Sequence, residues 1–196
     1  MNKVLITAFL MISFLATAQE LPYRQIPEYP SSYTGANVAA RLVDGLGFRY
    51  YWATEGLRDE DLKFEPLNAG GEARTSLETI NHIYDLTVIL VNAINKVPNI
   101  QGSPKPALTF TELRKKTLEN LKYSSDKLKA SSDKDLESYK IIFKNGDTIT
   151  EYPFWNEING PVADAVWHVG QVVTFRRSSG NPFNSKVSVL QGKLRE

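Results

Sequence analysis

The 196-residue chain contains two histidines, His82 and His168, and the second follows Asp164 by four residues in the stretch Asp164-Ala165-Val166-Trp167-His168-Val169-Gly170-Gln171. At about 100° per residue, a helix through this stretch sets Asp164, His168, Gln171 and Phe175 within roughly 60° of one another. Beside them runs the mainly valine stripe of Val162, Ala165, Val169, Val172 and Val173. A carboxylate, an imidazole and an amide therefore line one edge of a surface that packs inward. Such groups cost roughly 1 to 3 kcal/mol each when buried without partners. His82 is a candidate partner, because it shares a helical stripe with Leu86, Ile89 and Ala93. Two imidazoles and a carboxylate converging from facing helices make up a divalent metal site, and three protein ligands leave positions open for water or substrate. The plainer reading is a polar pair, with Asp164 near its helix start favouring the helix dipole or binding His168. Gln171 and Tyr50 are the candidates for orienting a substrate, against the alternatives of a structural hydrogen-bonder and a core filler. Glu157, just ahead of the helix, reads as a base reaching the same pocket or as a solvated loop carboxylate.

Positioning these groups falls to four segments of helical period. The first spans residues 34–57, with Ala39, Leu42, Val43, Leu46, Tyr50, Ala53 and Leu57 on one face. The second opens at Thr75 with Glu78 three residues on, a capping box that Thr109 and Glu112 repeat at the head of the third. Phe110, Leu113, Leu121 and Leu128 form the third stripe, with Thr117 and Ser124 among them. Residues 139–143 and 148–152 flank Asn145-Gly146, a strong hairpin signal. The fourth helix starts at Gly160-Pro161, runs to about residue 177 and stops at Gly180 and Pro182. The expected class is all-α: a four-helix bundle with a small β-hairpin insertion before the last helix.

Residues 1–18 have the charged, apolar and small-residue zones of a secretory signal, with cleavage expected after Ala18 and export to a periplasm or beyond. Their apolar run is too short for a membrane anchor. Residues 19–33, with Pro22, Pro27 and Pro30, read as an extended arm, and residues 34–196 as one domain. Lys3 is the only charged residue of the leader, so the formal net charge of +1 falls to zero on its removal. A neutral chain carries no electrostatic footprint for nucleic acid, and Arg114-Lys115-Lys116 reads as a solvated helix face. The absence of cysteine excludes disulfides, thiolate ligands and a cysteine nucleophile. Gly45-Leu46-Gly47 lacks a third glycine and lies inside a helix pattern, so it is no phosphate loop. The partners in view are a small-molecule substrate or ligand and a second copy of the chain in a homodimer.

Three stretches carry a family resemblance: Glu55-Gly56-Leu57 through Asp59-Glu60-Asp61-Leu62 to Phe64-Glu65-Pro66; Ser76-Leu77-Glu78 to His82-Ile83; and Trp167-His168-Val169-Gly170-Gln171 with Arg176-Arg177. The chain resembles the DinB-like superfamily of four-helix-bundle metalloproteins. In that family a histidine on the second helix and two histidines four apart on the last bind a divalent ion. His82 and His168 match, and Asp164 stands where the family has its remaining histidine. The resemblance implies a modified site for zinc foremost, with nickel, iron or manganese as alternatives. An open divalent site without a redox-active residue points to a metal-dependent hydrolase or transferase; the alternatives are a non-catalytic ligand- or metal-binding bundle and a degenerate structural member.

Overall fold

Three of the long helices begin where a side chain satisfies a free amide. The computed structural model describes residues 20–66 and 73–196; the expected signal segment, 1–18, and the glycine pair Gly70-Gly71 lie outside the described residues. Thr34 caps α1 (Gly35–Thr54), accepting from the Asn37 amide at 3.2 Å. A single turn, α2 (Asp59–Leu62), precedes α3 (Ser76–Asn95), and both α3 and α4 (Phe110–Lys129) open with the expected capping boxes, Thr75 with Glu78 and Thr109 with Glu112. A further turn, α5 (Asp133–Leu136), follows, and its Asp133 accepts from the Ala36 amide at 2.9 Å.

The last helix differs from expectation at its start. Helical backbone begins with α6 (Phe154–Glu157), widens into a π-helical turn at Ile158–Val162 and continues as α7 (Ala163–Ser178). Pro161 sits inside the wide turn rather than at a first helical position, where the altered bonding tolerates its missing donor. Asp164 therefore lies well inside continuous helix, which removes the helix-dipole explanation for it.

Named contacts set the helix directions. Lys129 pairs with Asp44 at 2.8 Å, and Arg114 with Glu55, so α1 and α4 run in opposite senses. Asn120 reaches Thr87 at 3.1 Å and Tyr123 reaches Asn95, so α3 and α4 run the same way. Arg176 of α7 caps the carbonyls of Trp52 and Ala53 near the end of α1, which makes those two parallel. The proline-bearing linker 96–109 makes the return between α3 and α4. At up to about 3.3 Å per residue it is long enough to retrace a helix of about 30 Å.

The remaining sheet structure is small. β1 (Asn99–Ile100) pairs in parallel with β2 (Lys140–Asn145), which forms a hairpin with β3 (Thr148–Pro153). The hairpin loop is Gly146-Asp147, one residue later than expected, because Asn145 already pairs with Thr148. Gly146 takes a φ of 57°, which a two-residue turn with glycine first requires. A second hairpin, β4 (Val187–Ser188) with β5 (Lys193–Leu194), closes the chain. The protein is thus mostly helical with small sheets, and no helix among the described residues is long and apolar enough to cross a membrane.

Ala39, Val43, Leu46, Tyr50 and Ala53 of α1 are buried as expected, but Leu42 is 41 % exposed, because it turns with Val38 toward the arm rather than the core. The arm packs back on α1. Tyr23 donates to Asp44 at 3.0 Å, and the Trp52 indole donates to the Arg24 carbonyl at 3.2 Å. Gly47 is the seat of the Tyr23 ring: a Cβ there would lie 2.5 Å from it. Arg114 does not belong to a solvated face, since its guanidinium stacks over the Tyr51 ring at 4.7 Å and donates to Thr54 at 3.1 Å.

Candidate metal centre

α7 presents Asp164 and His168 one turn apart, and α3, packed against it in the opposite sense, brings His82 to the same point. His82 Nε2 lies 3.3 Å from Asp164 Oδ2, and His168 Nε2 lies 3.3 Å from Asp164 Oδ1. The two imidazole rings meet edge to face at 4.7 Å between centroids. One ligand atom from each residue lies within 4.8 Å of the others, so the group could hold a metal ion.

The surroundings fit such an ion. His168 Nδ1 lies 2.7 Å from Gln171 Oε1, an acceptor, and therefore carries a proton. In the neutral ring that leaves the Nε2 lone pair facing the Asp164 carboxylate, two acceptors opposed, and a cation between them removes the repulsion. Metal-ligating histidines are oriented in this way through their second nitrogen. Burial lowers the His82 imidazole below its ordinary range, helped by the charge of Arg74. His82 is thereby kept in the neutral form that ligates. The side chains of His82, Asp164 and His168 are 28 %, 36 % and 13 % exposed, so the cluster is reachable from solvent.

A cavity of about 550 Å³ opens at Asp164, a volume that suits a small molecule. Leu86 and Ile89 of α3, Trp167 of α7 and the hairpin residues Ile141, Phe143 and Tyr152 form its walls. Asn156 and Asn159 supply amides, and Asp164 is its only charged lining residue among those described. The hairpin is thus a wall of the site, a role its sequence did not announce.

Two further candidates are buried. Tyr50 is fully buried, and its hydroxyl makes no hydrogen bond to any described residue, so it offers a substrate no surface. Burial raises its phenol above the usual range, tempered by the hydroxyl of Thr117 and the charge of Arg114, which places it toward α4. Glu157 is no solvated loop carboxylate. It is 0 % exposed, both its oxygens lack a hydrogen-bond partner among the described residues, and desolvation raises it to about 8. The π turn that follows it ties residue 157 into helix and rolls its side chain inward, a consequence that helical periodicity begun at Gly160 misses.

Sequence reading also missed a polar hub at the other end of α7. Asp61, fully buried, accepts from the Arg58 amide at 2.8 Å and from the side chains of Arg58, Ser179 and Asn181. These bonds, Arg58 first, hold its carboxyl well below the usual range. Arg58 and Asp61 three apart at a helix start were the available signal. Comparison of the chain with protein-family profiles, curated proteins and solved structures finds no match.

Proposed function

We propose that the chain is a DinB-like four-helix bundle that holds one divalent metal ion on His82, Asp164 and His168 and presents it to a small, largely apolar molecule. The observation that carries this reading is the convergence of the three donors, with His168 oriented by Gln171. Zinc bonds of about 2.0 to 2.1 Å in tetrahedral geometry separate neighbouring donors by about 3.3 Å. The two imidazole-to-carboxylate distances of 3.3 Å leave the donors close enough to converge on one ion, and two imidazoles with one carboxylate suit zinc, with nickel, iron or manganese as alternatives. The helix directions support the bundle: α1 and α7 run one way, α3 and α4 the other.

When bound, the ion supplies Lewis acidity for hydrolysis or group transfer. The protein's own part is positional. Gln171 fixes the His168 ring, and Leu86, Ile89 and Phe143 take the apolar body of the substrate and exclude water. Asn156 and Asn159 read its uncharged polar groups. Export through the segment 1–18 belongs to the same reading.

The test is the metal content of the chain, purified without a metal-binding tag, beside His82→Ala. Near one equivalent of a single divalent ion, absent from the variant, supports the site. No metal in either protein after incubation with zinc, iron, nickel and manganese leaves the cluster a polar seam and overturns the proposal.

A further inference from the structure

On the opposite flank of α7, two further cavities follow the seam between α1 and α7. One, of about 510 Å³, lies under the arm, between Tyr29, Tyr33, Val38, Leu42 and Val166. The next, of about 340 Å³, continues past Phe48, Trp52, Val173 and Phe183. Arg49 and Val166 line both, so the two make one groove. From Val38 to Ala53 it follows α1 for about 22 Å at 1.5 Å per residue. Its walls are apolar, and no acidic residue lines either part among those described.

Its charges are all of one sign. Arg41 donates to the Pro27 carbonyl at 2.8 Å and stacks over the Tyr29 ring at 4.5 Å. Arg49 is half-buried and donates to the Gly45 carbonyl at 2.9 Å. Arg177 lies over the Phe183 ring at 5.5 Å. Among the described residues, none of the three has a carboxylate within ion-pair distance, whereas Arg58, Arg114 and Lys129 elsewhere all do. A half-buried guanidinium with one backbone acceptor keeps most of its donors free for a ligand.

We propose that this groove binds an amphiphilic anion, a long acyl or alkyl chain ending in a carboxylate or phosphate, with Arg49 holding the head group and the α1–α7 seam holding the chain. The site is separate from the His82 cluster and stands or falls independently of metal binding.

The test is calorimetric titration of the full chain, below micelle-forming concentrations, with dodecanoate, dodecyl phosphate, dodecanol and dodecyltrimethylammonium. It is paired with sedimentation against phosphatidylglycerol vesicles. Saturable one-to-one binding of the two anions, with neither the alcohol nor the cation bound comparably, is the expected result. Arg49→Gln weakens it about tenfold, the loss of one charge-assisted contact. Arg49→Lys retains most of it, and Val166→Glu abolishes it. Equal binding of alcohol and anion, anion affinity unaffected by Arg49→Gln, or vesicle binding without binding of free dodecanoate overturns the proposal; the last outcome identifies a membrane-facing surface instead.

Discussion

At the C-terminal end of α7, Arg176 is 3 % exposed and donates to the carbonyls of Trp52, Ala53, Glu55 and Asn181, while Asp61 beside it is bonded on both oxygens. At the N-terminal end, Asp164 stands 3.3 Å from each of two imidazoles and is over a third exposed. The same helix thus carries one polar cluster whose needs the protein meets and one whose needs it leaves partly unmet beside a cavity. A satisfied, buried network specifies packing. An under-bonded, accessible one is where an added ion or ligand gains the most.

The sharpest break of this contrast is Asp61→Ala, which strands Arg58 and frees Ser179 and Asn181 from their acceptor. It should cost about 1 to 3 kcal/mol in denaturant titrations, the penalty of leaving the part-buried groups of Ser179 and Asn181 without their acceptor. His82→Ala, by comparison, should shift the midpoint little in metal-free buffer. If the two variants are equally destabilising, the division into structural and functional clusters is wrong.

Glu157 sharpens the contrast as a third case, neither bonded nor open. Its folded carboxyl is raised to about 8 from an ordinary 4.5, so the folded chain binds more protons than the unfolded one between those values. Stability should therefore decline as pH rises through that window, by at most about 1.4 kcal/mol per pH unit, and level off above it. Glu157→Gln should flatten that decline; an unchanged pH profile of unfolding would show that Glu157 is not its source.

Zinc at a hundredfold excess over its dissociation constant should stabilise the wild-type chain by about 2.7 kcal/mol, read as a rise in melting temperature that a chelator reverses. Asp164→Ala should remove that rise, and Asp61→Asn should leave it in place. The smallest effect is expected at Gln171→Ala, which should weaken zinc affinity about 10- to 100-fold in competition with a chromogenic chelator, with little change in metal-free stability. A Gln171→Ala protein with wild-type affinity would show that His168 needs no orienting partner.

Much of this was legible in the chain because it is local. The caps at Thr34, Thr75 and Thr109 act over three residues, and the Asp164–His168 pairing follows from helix geometry alone. The hairpin showed itself through Gly146 but with its loop one residue early, since register depends on which residues pair across the turn. Leu42 was misjudged for a related reason: a stripe fixes a shared face, and the neighbours decide which edge of that face is covered.

The amino-acid sequence by itself determined the helical segments, their apolar stripes and the donor types at 82, 164 and 168, all consequences of interactions within a few residues. Tertiary structure alone decided that His82 meets Asp164, that the hairpin walls a cavity beside them, that Glu157 is sealed in and that Asp61 is fully bonded. Each of those depends on contacts between residues far apart in the chain. Their geometry is set when whole helices pack and the π turn rotates one stretch against the next, which no local periodicity encodes.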